Sequence, residues 1–140
     1  MLILDTDHLS ILDRGGVESR ALRARLARRR PDEVVTTIIN FEEQMRGWLA
    51  YVARVRSVEQ QREAYLRLRR HLDNYRILGV LDFDNRAIAH FTQLQKSRIR
   101  IGSMDLKIAA IALALDATLL TRNLADFRKV PALKLEDWTL

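Results

Sequence analysis

Four places in this 140-residue chain carry acids or amides at one end of an apolar run. Asp5 closes Leu2–Leu4, and Glu42 and Glu43 follow the β-branched run Val34–Ile39. Asp105 opens the very apolar stretch from Ser103 to Leu115, and Asn123 and Asp126 follow Ala117–Leu120. Carboxylates sharing one pocket repel each other and raise each other's pKa. A divalent cation relieves that repulsion. Oxygen ligands without His or Cys suit Mg²⁺ or Mn²⁺ rather than Zn²⁺. Such an ion lowers the pKa of a water and offsets charge on a phosphoryl group.

Each acid also has a structural alternative. Asn40 and Glu43 fit a capping box, with Asn40 as N-cap. Ser103 fits an N-cap, which would put Asp105 in a first turn where it complements the helix dipole. Asp5 and Asp7 fit caps of a helix after the first run, and Asp126 fits a surface acid. The joint pattern favours a metal site, because an unpaired charge beside such apolar stretches is expensive.

The elements that must gather these groups are short. Leu2–Leu4, Val34–Ile39, Ile77–Leu81, Ala117–Leu120 and a weak Leu133–Leu135 read as strands buried on both faces. Between them, helical patterns cover Val17–Arg29, Phe41–Val55, Val58–Tyr75, Arg86–Gln95 and Ser103–Leu115. Strands alternating with helices predict an α/β fold with a parallel sheet and helices on both faces. Ligands of such sheets bind beyond the carboxyl ends of the strands, where the acids stand. No repeat or composition break divides residues 1–140, so one domain is expected.

Composition narrows the function. There are 24 Lys and Arg against 18 Asp and Glu, a net charge of +6, with 20 of the 24 being Arg. Setting aside three of the 18 acids raises the balance elsewhere from +6 to +9. An acidic pocket in a basic surround suits a phosphodiester substrate. Arg28, Arg29 and Arg30 lie in a stretch with few acids, and are expected to bind RNA or an acidic partner. A second cluster, Arg54 to Arg76, reads equally as RNA contact or as a face of i,i+4 ion pairs. The chain has no Cys, which removes disulfides, thiolate zinc sites and cysteine nucleophiles. Its three separated His form no metal motif, and it has no membrane-length apolar run, so a cytoplasmic location without membrane association is expected. His8, next to the acids, reads as a solvated loop or helix-turn residue, with proton transfer as the alternative. Trp48, Tyr51, Tyr65 and Tyr75 read as core or interface.

Together these segments resemble the PIN-domain ribonucleases, in particular the VapC-type toxins of bacterial toxin–antitoxin pairs. The likeness is carried by Leu4-Asp5-Thr6-Asp7, Glu43 with Gly47, Ile101 to Ala110, Thr121 to Phe127, Val130 to Leu133 and Glu136-Asp137-Trp138. It implies an α/β/α sandwich with a short parallel sheet of four to five strands. It also implies Mg²⁺- or Mn²⁺-dependent endoribonuclease activity by metal-activated water, an RNA substrate, a VapB-like antitoxin and a homodimer. Asp5, Glu43 and Asp105 match the family's metal-binding acids, with Asn123 or Asp126 as a possible fourth ligand. Thr6, Ser103 and Thr121 match small polar positions that orient the acids or waters. Two rival functions remain. Asp5-Thr6-Asp7 is similar to the D-x-D motif of haloacid-dehalogenase-like phosphatases, with Asp5 as nucleophile and Asp7 as general acid. A non-catalytic module that binds RNA or protein is the other.

Overall fold

A computed structural model describes residues 1–140. Five strands, β1 (Leu2–Leu4), β2 (Val34–Thr37), β3 (Gly79–Leu81), β4 (Thr118–Leu120) and β5 (Lys134–Glu136), form one sheet in the order β3-β2-β1-β4-β5. Every pairing is parallel. The chain moves outward from β1 through β2 to β3, then crosses back to β4 on the other side of β1. The order therefore reverses at β1, which places a crevice at its carboxyl end.

Seven helices connect the strands: α1 (Thr6–Arg14), α2 (Val17–Leu26), α3 (Ile38–Arg54), α4 (Val58–Ile77), α5 (Asn85–Lys96), α6 (Ser103–Ala114) and α7 (Leu124–Phe127). Alternation along β1 sends Ile3 to one hydrophobic cluster and Leu2 and Leu4 to another. β4 divides in the same way, with Leu119 in the first cluster and Leu120 in the second. The first cluster packs against α5 and α6, and the second against α1, α2 and Trp138. Two cores on opposite faces of one sheet make an α/β/α sandwich. α6 is apolar nearly all round, and seven of its twelve residues are buried. No helix is long and apolar enough to cross a membrane.

Several boundaries differ from the sequence reading: α2 ends at Leu26 rather than Arg29, β4 starts at Thr118 rather than Ala117, and β5 is Lys134–Glu136 rather than Leu133–Leu135. β2 stops at Thr37, because the Thr37 hydroxyl accepts from the Asn40 backbone N–H and starts α3 at Ile38, ahead of the apolar pattern that begins at Phe41. Ile77 is not in a strand; it ends α4 and is 92% exposed. α6 is capped by Gly102, and Ser103 is its first residue rather than its N-cap. Asn40 and Glu43 likewise form no capping box, since Thr37 holds the cap position. α1, noted in the sequence only as a helix that Asp5 and Asp7 could cap, fills the space between β1 and Gly15. Gly15 and Gly16 then turn the chain into α2 at φ of 75° and 90°, a region that favours glycine.

Phe127 sits at the end of α7 with no exposed surface and anchors the turn that carries Asn123 and Asp126. Phe127→Ala is expected to destabilise the fold by about 3–5 kcal/mol, by lost transfer energy plus a cavity. Urea denaturation measures this; a loss below about 1 kcal/mol would show that the α7 turn is anchored elsewhere.

Candidate active site

Asp5 leaves β1 at the reversal point and caps α1, its Oδ1 accepting from the Thr6 backbone N–H at 2.9 Å. Two further donors arrive from distant segments. Asn40 Nδ2 donates to Oδ1 at 2.8 Å, and the Thr121 hydroxyl donates to Oδ2 at 2.7 Å. Asp5 is thus both a cap and the centre of the site, so the two sequence readings coexist. Burial pushes its pKa up, and the charge of Asp7 adds to that; the donors from Thr121, Thr6 and Asn40 pull it back only in part.

Asn40 carries out the orienting work that the sequence did not assign to it. It is fully buried on the first turn of α3. Its Oδ1 accepts from the Thr37 hydroxyl at 2.7 Å, and its Nδ2 also donates to Thr6 Oγ1 at 3.0 Å. The Thr6 hydroxyl then donates to Glu43 Oε2 at 3.2 Å. One chain of hydrogen bonds therefore runs from β2 through Asn40 and Thr6 to two of the candidate acids. The signal was present in the sequence as an amide at the end of a β-branched run, but it also fits a helix cap, and the cap reading absorbed it.

Glu43 Oε1 is buried with no hydrogen-bond partner. Burial, then the nearby charge of Asp5, raises the Glu43 pKa to about 7, with Asp105 and Glu42 adding to it. Asp105, in the first turn of α6, is raised to about 6 by burial and by Asp5, Asp126 and Asp7. Asp5, Glu43 and Asp105 thus share one electrostatic environment although they are far apart in sequence. As placed, no three acids or imidazoles form a ready coordination shell. The donor set nevertheless fits a hard divalent cation: all carboxylate oxygen, destabilised as charges, with one orphaned oxygen. Such an ion would have to draw the side chains together.

The candidates for a fourth ligand lie beside one another. Asn123 Nδ2 donates to Asp126 Oδ2 at 3.3 Å, and Asp126 is also 3.5 Å from Lys129 Nζ. Asp126 is close enough to raise the Asp105 pKa, so it is not merely a surface acid. Thr121 accepts from the Asn123 backbone N–H at 3.0 Å and is fully buried. Ser103 is exposed, and its hydroxyl makes no hydrogen bond to the acids. Asp7 Oδ2 accepts from the Arg122 backbone N–H at 2.9 Å, while His8 Nδ1 lies 2.6 Å from Asp7 Oδ1. With both oxygens acting as acceptors, Asp7 is poorly placed as the general acid of a phosphatase. His8 is not solvated: its side chain is fully buried.

A groove of about 780 Å³ opens beside Thr6 and Glu43, walled by Arg14, Arg54, Arg67 and Arg70. Tyr51 and Trp48 also line it, in edge-to-face contact at 5.9 Å. Arg54 and Arg67 lie 5.5 and 5.7 Å from the Tyr51 ring centre. The second arginine cluster therefore divides by residue. Arg67, Arg69 and Arg76 pair with Glu63 or Asp73, whereas Arg54 and Arg70 face the groove without an acid partner. In the first cluster, Arg30 pairs with Asp32 and Glu33, and Arg29 lies 5.6 Å from the Trp138 ring centre. Trp48 and Tyr75 pack around His71 with Phe41, whereas Tyr65 is exposed.

Known proteins resemble this chain in sequence and in fold. Ribonuclease VapC2 of Rickettsia felis is 37% identical over 65 residues, 44% of this chain and 48% of that protein. The tRNA(fMet)-specific endonuclease VapC of Salmonella typhimurium is 34% identical over 65 residues, 44% of this chain and 49% of that protein. The chain spans about half the length of the curated relatives it matches. Among solved structures, a chain of VapBC-1 from nontypeable Haemophilus influenzae superposes with a TM-score of 0.75 and 25% identity, covering 99% of this chain and 98% of that one. The PIN-domain model matches residues 2–133, from β1 to the residue before β5. The sheet reversal, Asp5, Glu43, Asp105 and the α7 turn all fall inside that single match, and the chain belongs to the PIN-domain family.

Proposed function

We propose that the chain is a metal-dependent endoribonuclease of the VapC type, hydrolysing RNA phosphodiester bonds. The observation that carries this reading is a set of three carboxylates, Asp5, Glu43 and Asp105, raised by burial and by neighbouring acids, of which Glu43 opens onto a groove walled by arginines. These three acids hold Mg²⁺ or Mn²⁺, with Asn123 or Asp126 completing the set. A bound divalent cation supplies an acidified water and offsets charge that builds on the phosphate. The remaining work falls to the protein's own groups. Asn40, Thr6 and Thr121 fix the orientation of Asp5 and Glu43. Arg54 and Arg70, free of acid partners, grip backbone phosphates with planar donor forks. Arg28, Arg29 and Arg30 lie on a separate stretch and belong to partner or RNA contact outside the groove.

A partner follows from the same reading. The VapBC-1 structure names a two-component assembly, and a VapB-like antitoxin is proposed here. A more apolar groove of about 410 Å³, lined by Leu9, Leu12, Leu26, Tyr75 and Leu78, offers a surface for it. Exposed Leu66, Leu72 and Ile77 on α4 offer apolar area for a homodimer.

Cleavage of structured RNAs with Mg²⁺, Mn²⁺ or EDTA tests the activity. Asp5→Asn and Asp105→Asn should each lower cleavage by about 100-fold or more, the scale of several kcal/mol of lost charge stabilisation. Full cleavage by both variants rejects the assignment, and binding without cleavage under every metal supports a non-catalytic module. Reversing the charges of Arg54 and Arg70 should weaken RNA binding and flatten its dependence on salt by about one ion for each phosphate no longer gripped. An unchanged salt slope would place the RNA elsewhere.

The acids also predict how stability varies with pH. Glu43 and Asp105 bind protons more tightly in the folded chain than in the unfolded one, where their values are 4.5 and 3.8. Their contribution is full below those values and is lost as pH rises through about 6 and about 7. In EDTA, the melting temperature should fall between pH 5 and pH 7.5, and Mg²⁺ or Mn²⁺ should reverse the fall. Glu43→Gln and Asp105→Asn should flatten it. A melting temperature that rises across this range in EDTA would contradict the repulsive cluster.

A further inference from the structure

One buried polar ring has no part in the chemistry above. His8, on the first turn of α1, has no exposed surface. Its Nε2 lies 3.2 Å from the backbone N–H of Trp138, which can only donate. Nε2 must therefore carry the lone pair, and the ring proton sits on Nδ1. That proton is donated to Asp7 Oδ1, 2.6 Å away.

The other oxygen of Asp7 reaches the opposite side of the site. Oδ2 accepts from the Arg122 backbone N–H at 2.9 Å and lies 3.3 Å from the Thr121 hydroxyl. Thr121 in turn donates to Asp5 and accepts from the Asn123 backbone N–H. The turn between β4 and α7 is thus tied to the start of α1 through two carboxylates, Asp5 and Asp7, and one imidazole sets the rotation of Asp7. An unheld Asp7 would be free to turn, and the turn that aims Thr121 and Asn123 would keep only its tie to Asp5.

We propose that His8 is a positioning residue for the Asp5 centre: in its Nδ1–H tautomer it fixes Asp7, and Asp7 fixes the turn that presents Thr121 and Asn123. This rests on the nuclease reading for its catalytic consequence, though not for its geometry. A plainer role is also conceivable, in which His8 only anchors the C-terminal segment through Trp138. The two roles use different ring nitrogens, and two amide side chains separate them. Asparagine can set an N–H near the place of Nδ1, and glutamine can set an oxygen near the place of Nε2.

In the wild-type protein, long-range ¹H–¹⁵N spectra should show His8 protonated on Nδ1 alone; protonation on Nε2 would overturn the proposal. His8→Gln should lower kcat for RNA cleavage by about tenfold or more, the effect of misplacing a group near the reacting centre, with KM changed by less than about twofold. It should also speed hydrogen exchange at the Arg122 and Asn123 amides. His8→Asn should recover most of the kcat and amide protection that His8→Gln loses. Equal losses in both variants, or a greater loss in His8→Asn, would overturn the proposal and leave His8 as a tail anchor. Wild-type protein that cleaves no RNA would sink the nuclease reading instead, while the tautomer and the amide exchange still decide the latch.

Discussion

The structure depends on satisfying one carboxylate where water barely reaches. Asp5 ends the central strand, 6% exposed, at the point where strand order reverses. Burial raises its pKa, and three donors oppose that from Thr6, Asn40 and Thr121. Thr121 is 116 residues away in sequence, so the site exists only once the sheet has closed. Polar groups at this depth are tolerated because nearly every one is satisfied; the exceptions are Glu43 Oε1, at the site, and His71 Nε2, away from it. An orphaned carboxylate oxygen facing like charges has a clear physical remedy in a hard cation.

The sheet accounts for the convergence. Parallel strands all end on one edge, so residues just past β1, β2 and β4 come together without any local signal linking them. α6 then delivers Asp105 to the same edge by its N-terminus. Its apolar body locks that helix into the first core, so the acid is positioned by packing rather than by a flexible loop.

Much of this was legible in the residues themselves. Leu2–Leu4 and the β4 run betray their two-sided burial by unbroken hydrophobicity, and the acids stand out because each follows such a run or, for Asp105, opens one. Helix starts were less legible, because Thr37 and Asn40 are both competent caps and only the fold decides between them. Asn40 and Asp7 read as helix caps for the same reason, since an amide or acid near a helix start has a local explanation that hides a distant partner. His8 does lie on a helix turn, but its burial is not legible, because nothing nearby in sequence shows Trp138 closing over it. The arginine clusters could not be divided into paired and groove-facing members without knowing which side of α4 faces α3. Arg54 and Arg70 emerge only when the two helices are seen against each other.

The central claim is that Asp5, Glu43 and Asp105 gather around one hard ion. Anomalous diffraction from crystals soaked in Mn²⁺ tests it most directly. The account predicts a manganese peak within ligand distance of carboxylate oxygens from all three residues, with Asn40 still bonded to Asp5. A peak elsewhere, or none at saturating Mn²⁺, would contradict it.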